Sequence, residues 1–326
     1  MAKILYTVDD LVSEVRSQLD EENRDSVSTS SDILPALNRA QDYAFDIYAR
    51  RYPEPILRHA VLPLQAGVQE YDIPEDVFED RVLKMEIEIP TGGVGSTFAE
   101  VQQISFRDLS NYESVGKTNI PLYYSIYRRK IRFVAPPTGT YSARMWSLTN
   151  PERLELSQGR ITTINNDSNY VIVDSAGSSL TTEADELGSY VNLIDGQTGE
   201  IKGSLQIQQL NSNNRLVFRT SPQRSTVVNR TIGTALSDIS VELDDYIAPI
   251  SGTCVPYFGS PTTNFLLQYA VAEITRKLGG DAAQEERVLE KFEKQIERTY
   301  AGRPSTLRVT KRSNIWGVPT RRWYWQ

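Results

Sequence analysis

Two hydrophobic periods divide this chain, and their distribution limits the folds open to it. Ile33, Leu37, Ala40, Ala44 and Ile47 recur at spacings of 4, 3, 4 and 3, the interval that keeps side chains on one face of an α-helix. Far along the chain Leu267, Val271, Ile274 and Leu278 do the same at 4, 3 and 4. Between these ends the period falls to two: Leu83, Met85, Ile87 and Ile89 alternate with Lys84, Glu86 and Glu88, the pattern of a half-buried strand. Helical stripes at both ends of a β-rich middle can cover one another if the ends meet. We therefore expect an α+β fold. Helix pairs from residues 1–55 and 238–302 form one bundle, residues 56–150 form a β-rich region, and residues 303–326 form an extended arm.

Local signals set the boundaries. Thr7 caps a first helix whose apolar stripe is Val8, Leu11, Val12, Val15 and Leu19, with Asp9 and Asp10 favouring the positive end of the helix dipole. Ser30 or Ser31 is the expected cap of the second helix, Pro35 suits its first turn, and Tyr52-Pro53 ends it. Strands are expected at Ile56–Leu64, at the step Gly67–Pro74, and at Val82–Ile89. A short helix is expected at Phe106–Glu113. A hairpin, Leu122–Tyr127 and Lys130–Val134, turns at Arg128-Arg129, and Tyr141–Leu148 adds another strand. Residues 151–237 are rich in Ser, Thr, Asn and Gly, with short apolar stretches at Tyr170–Val173, Tyr190–Ile194, Ser204–Leu210 and Arg215–Phe218; they are expected to be an inserted sandwich- or barrel-like β-domain. Gly279-Gly280 stops the third helix, and Asp281 caps a fourth that carries Leu289, Phe292, Ile296 and Tyr300 on one face.

Catalytic constellations are missing. There is one histidine, His59, within a strand-like segment where a structural or surface role is expected, and one cysteine, Cys254, so no thiolate metal cluster can be assembled. Asp244-Asp245 reads as a solvated acidic pair sooner than a cation site. Gly92-Gly93-Val94-Gly95 lacks the lysine of a phosphate loop and reads as a turn. Glu290 and Lys294, four apart, read as a solvated helix face. No catalytic, cofactor-binding or metal-binding residue is assigned, and no enzyme activity is expected. No apolar run has the length of a membrane span. The start, Met1–Asp10, does not read as a signal peptide, so synthesis in a reducing cytoplasm is expected.

The arm is the exception to the acidic, polar character of the chain, whose net charge is -7. Arg303–Gln326 carries Arg303, Arg308, Lys311, Arg312, Arg321 and Arg322, no acid, and three of the four tryptophans, Trp316, Trp323 and Trp325. Pro304, Gly317 and Pro319 oppose a continuous helix. Trp and Arg are residues that anchor protein interfaces, so the arm is expected to become ordered on a partner.

Several segments, in order, resemble the head-to-tail connector (adaptor) proteins of tailed bacteriophages, especially those of short-tailed phages. Asp32–Gln41 resembles their second helix, and Gly67–Asp76 their strand followed by Tyr-Asp-hydrophobic-Pro. Ile120–Tyr127 through Ile131–Pro137 is similar to their Pro-x-Tyr-Tyr hairpin closed by Pro-Pro, and Ala270–Tyr300 to their closing helix pair. The likeness covers about residues 5–150 and 240–302; the stretch 151–236 departs from the simplest members. The resemblance implies a non-enzymatic virion protein at the head–tail neck, forming a twelve-fold ring under the portal protein. It also implies that the C-terminal extension docks on the portal, that the ring carries the tail nozzle or tail-tube proteins and possibly tail fibres, and that genomic DNA passes through without sequence-specific binding. The docking residues on this reading are Trp316, Arg321, Arg322, Trp323, Tyr324 and Trp325. Competing readings are a tail nozzle or other neck ring protein, a glycan-binding module in 151–236, and an arm that binds nucleic acid.

Overall fold

In a computed structural model of the chain, residues 6–300 are described except 20–25, 54–55, 75–76, 91–95, 113–119, 176–179, 181–189, 212, 221–235, 251, 259–261 and 281–282. Helix α1, Val8–Gln18, starts as its sequence predicts: the Thr7 hydroxyl accepts from the Asp10 N–H at 3.2 Å, and the Asp10 carboxylate accepts from the Thr7 N–H at 2.9 Å. Both ends of this box satisfy helix-start donors that would otherwise lack partners. Helix α2, Leu34–Arg51, is preceded by a π-helical turn, Thr29–Ile33. Neither Ser30 nor Ser31 caps α2: Ser28 caps the π-helical turn, and α2 itself, with Ile33 at its N-cap position, has no side-chain cap. Asp32 reaches back to accept the Ser28 N–H at 3.0 Å, and the Ile33 N–H bonds the Ser28 carbonyl at 3.2 Å. The capping pair therefore forms earlier than the serine run suggested, and the wide turn takes up the extra residues.

Strands β1 (Leu57–Leu64), β2 (Glu70–Asp72), β3 (Val77–Pro90) and β4 (Ser96–Gln103) follow. After a 3-10 turn at Phe106–Asp108 and the one-turn helix α3 (Leu109–Tyr112) come β5 (Tyr123–Tyr127), β6 (Lys130–Phe133) and β7 (Tyr141–Thr149). They form one sheet in the order β1-β7-β3-β4-β5-β6-β2, with β4 and β5 parallel. Its core includes Met85, Ile87, Val101, Tyr124, Ile131, Phe133, Ala143 and Met145. The Met85 and Ile87 expected to point inward do so, opposite Met145 and Ala143 of β7. Strand β3 starts earlier than Val82 because Glu79 and Asp80 adopt positive φ, 48° and 55°, and carry a register shift that extends pairing back to Val77.

The chain then forms β8 (Arg153–Leu154), β9 (Gly159–Asn165), β10 (Tyr170–Val173), β11 (Tyr190–Ile194), β12 (Ile201–Asn211), β13 (Arg215–Phe218), the short helix α4 (Leu236–Ile239), β14 (Tyr246–Pro249) and β15 (Gly252–Thr253). Of the sandwich and barrel alternatives, the barrel is the one formed, closed in the order β10-β13-β12-β11-β14-β9. Closure leaves no free sheet edge. Ile161, Val171, Leu193, Leu205, Ile207, Leu216 and Phe218 fill it, with Leu236 and Ile239 of α4 in the same cluster. Gly159 opens β9 at φ +137°; a Cβ there would lie 2.3 Å from the Ser175 carbonyl oxygen, so only glycine fits.

Helices α5 (Thr262–Lys277) and α6 (Ala283–Tyr300) complete the described chain. They share one hydrophobic cluster with α1 and α2. Phe265 and Phe292 stack at 3.8 Å with planes 12° apart, the Arg39 guanidinium is paired with the Glu273 carboxylate, and the Tyr43 hydroxyl donates to Glu293 at 3.0 Å. Leu278 does not join the apolar face. Helix α5 stops at Lys277, Gly279 turns at φ +95°, and Leu278 is left 59% exposed. The proposed cap Asp281 lies outside the described residues, as does the glycine run 92–95.

The helices are tied to the barrel's two connections by buried polar groups. β8 and β15 pair in parallel, Arg153 beside Gly252 and Leu154 beside Thr253. Asn38 of α2 donates to the Leu154 carbonyl at 3.1 Å and accepts from the Leu154 N–H at 2.8 Å. Gln41, 1% exposed, donates to the Glu152 carbonyl at 2.8 Å and accepts from the Tyr257 N–H at 3.1 Å.

Candidate interaction surfaces

The arm residues Trp316, Arg321, Arg322, Trp323, Tyr324 and Trp325 lie outside the described residues. The remaining residues weighed for chemistry can be placed. The His59 ring lies 5.1 Å from the Trp146 ring across the β1–β7 pair. Cys254 is fully buried, and burial pushes its thiol up to about 12, which keeps it protonated and inert. Among the described residues no group of three or more His, Cys, Asp or Glu is placed to hold a metal ion. No helix there is long and apolar enough to cross a membrane.

Asp244 and Asp245 are pinned structural acids that face different ways. Asp245, 2% exposed, accepts from the Gly196 N–H at 3.0 Å, the Glu242 N–H at 2.8 Å and the Lys202 ammonium at 3.0 Å. Lys202 also meets Asp195 at 3.2 Å. Burial works to raise the Asp195 pKa, but the N–H groups of Thr198 and Gln197, with Lys202, outweigh it and hold it at about 2. Asp244, at φ 73°, turns outward and pairs with Arg160 at 2.9 Å. This network locks the turn that precedes β14. It also presents Glu242-Leu243-Asp244 as an exposed tip, with Leu243 62% exposed.

A cleft of about 490 Å³ lies where β1, β12 and the segment after β15 meet. Its own side chains bridge it: Arg58 donates to Glu200 at 2.9 Å and to the Tyr257 hydroxyl at 3.3 Å. The Arg58 guanidinium also lies 5.2 Å from the Tyr257 ring centre. The cleft is thus a polar seam holding the barrel against the sheet edge.

A different surface lies at the β5–β6 hairpin. The expected turn residues, Arg128 and Arg129, both adopt positive φ, 46° and 60°, a conformation normally given to Asn-Gly. Two non-glycine residues held there store of order 1–3 kcal/mol each, and such strain clusters at functional positions. Parallel pairing of β4 with β5 carries Phe106 alongside Tyr127. Their rings stack at 4.4 Å and 15°, and both are exposed, 42% and 40%. The Arg128 guanidinium lies 5.1 Å from the Tyr127 ring centre. The hairpin was legible in the sequence, but this stack was not. Its only signal was a two-residue turn that lacks glycine.

Against known protein families, residues 6–176, just over half of the chain, match the model of a family described as SU10 adaptor protein. The match takes in α1, α2, the whole sheet and the first barrel strands. No curated protein matches the chain.

Proposed function

The chain belongs to the SU10 adaptor protein family, and on that premise we propose that it is a structural virion protein of a tailed phage, a head-to-tail adaptor. The observation that carries this reading is the overlap between the family match, 6–176, and the segments Asp32–Gln41, Gly67–Asp76 and Ile120–Pro137 that resemble connector proteins. An adaptor works by binding, not by catalysis. That suits residues such as Asp245, Lys202 and Cys254, whose reactive groups are engaged or buried within the fold.

The four helices act as one bundle, and the barrel is an insert looped out from it. The body assembles as a closed ring under the portal of a short-tailed phage, twelve-fold by analogy with connector proteins. It offers the platform for nozzle or tail-tube proteins, and its place is the neck of the virion after assembly in the host cytoplasm. Arg303–Gln326 docks on the portal, with Trp316, Trp323 and Trp325 in apolar pockets, Arg321 and Arg322 against acids, and Tyr324 between them. A ring multiplies each weak arm contact into avidity. The chain's net charge is -7, and the body without the six cations of Arg303–Gln326 is more acidic still, so it repels phosphates and lets DNA pass without sticking.

Truncation after Gly302 tests the arm. The shortened chain is expected to keep its circular dichroism and to lose attachment to portal-bearing particles in a co-sedimentation assay. Attachment at the full-length level would refute the docking assignment.

A further inference from the structure

We infer that copies of this chain associate head to tail, the Leu243 tip of one barrel seating on the Phe106–Tyr127–Arg128 stack of the next copy. This rests on the ring assembly proposed above and names the surfaces that would build it. The stack is a flat, exposed aromatic plate, with Arg107 and Arg128 beside it, both exposed. Aromatic and arginine side chains held in place before contact are the usual energetic centre of a protein interface. The tip is its chemical complement: Leu243, 62% exposed, stands between the exposed acids Glu242 and Asp244. The tip is also rigid. Asp245 beneath it holds the Glu242 N–H at 2.8 Å, and Arg160 holds Asp244 at 2.9 Å. Leucine on aromatic rings, with Glu242 near Arg128, matches apolar to apolar and charge to opposite charge.

The two patches also belong to different parts of the fold, the tip to the barrel and the stack to the seven-stranded sheet. The barrel meets the sheet at β1, through Arg58 and Glu200. β5 stands four places away in the order β1-β7-β3-β4-β5, roughly 20 Å at about 4.8 Å per strand. Two unlike patches on one chain make a heterologous contact, which propagates from copy to copy and closes into a ring when the rotation allows. The local charge disfavours nucleic acid as the occupant. Arg129 pairs with Asp80 at 3.4 Å, Lys130 with Asp72 at 3.8 Å and Arg132 with Glu70 at 3.9 Å, so carboxylates already stand beside these cations and weaken any phosphate contact.

Disulfide trapping in the full-length chain reads the contact directly, because the single cysteine, Cys254, is buried. A chain carrying both Arg107→Cys and Glu242→Cys keeps Leu243 and both rings. Assembled on portal-bearing particles and oxidised, it is expected to give a ladder of cross-linked species above the dimer. A mixture of the two single-cysteine chains is expected to stop at the dimer. Independently, Arg128→Glu should weaken self-association roughly tenfold or more in analytical ultracentrifugation, and adding Glu242→Arg should restore it. Assembled rings without the cross-link, or with Arg128→Glu silent, would overturn the inference and leave the ring standing. A wild-type chain that does not self-associate even with portal would remove both. Loss of duplex-DNA binding in Arg128→Glu with self-association intact would make the stack a nucleic-acid surface and overturn the inference as well.

Discussion

Lys202 lies between the carboxylates of Asp195 and Asp245, 14% exposed, at the closing end of the barrel. The three groups are tolerated in that setting because Lys202 faces both carboxylates and the Thr198, Gln197, Gly196 and Glu242 N–H groups complete the carboxylates' hydrogen bonding. The consequence is a pH dependence of definite sign. Asp195 is held at about 2 in the folded chain, below the unfolded aspartate value of about 3.9. Its contribution is therefore complete above about pH 4 and is lost as the pH falls toward about 2. The shift corresponds to about 2–3 kcal/mol. Asp195→Asn is expected to remove much of that at pH 7 and to flatten the acid dependence between about pH 4 and 2. Hydrogen exchange of the β11, β12 and β14 amides is the measurement; an unchanged acid profile would contradict the account.

At the scale of elements, the contact between α5 and α6 hangs on few side chains. Among the described residues of α6, Phe292 and Ile296 are the buried ones, and Phe292 stacks on Phe265. Phe292→Ala is expected to cost about 3–5 kcal/mol and to release α6 before the sheet or barrel unfolds, seen as early loss of α6 amide protection while β3 and β7 stay protected. The helices were legible in the sequence because burial at 3.6-residue spacing leaves an unmistakable stripe: Leu37, Ala40 and Ala44 are all fully buried. β4 and β9 were not legible. Ser96–Gln103 and Gly159–Asn165 carry Ser, Thr, Gln and Gly, whose alternation is weak, and they are held as strands by their neighbours. The Phe106–Tyr127 stack was hidden for a further reason. It depends on a parallel pairing, Gln102 beside Tyr123, and a contact between separated segments leaves no mark in either segment alone. Residues 303–326 were conspicuous in the sequence through their tryptophans and cations, but composition alone carries no geometry.

For the whole molecule, three large hydrophobic clusters, among the helices, within the sheet and within the barrel, stand in place of one continuous core. Joints between them are polar: Arg58 with Glu200, Asn38 with Leu154, Gln41 with Glu152 and Tyr257. A chain built this way is expected to unfold in more than one step. Replacing 159–249 by a short Gly-Ser linker is expected to leave the helices and the sheet folded, checked by circular dichroism and by retained exchange protection in β3 and β7. Collapse of the sheet on excision would show that the barrel is integral to it. The side-by-side pairing of Arg153 with Gly252 favours the folded outcome. Because the chain leaves for the barrel and comes back at neighbouring positions, the barrel sits on the rest of the protein like a graft on a rootstock. A lineage could acquire, exchange or shed such a graft in a single recombination, altering what the particle displays while the frame that carries it is inherited unchanged.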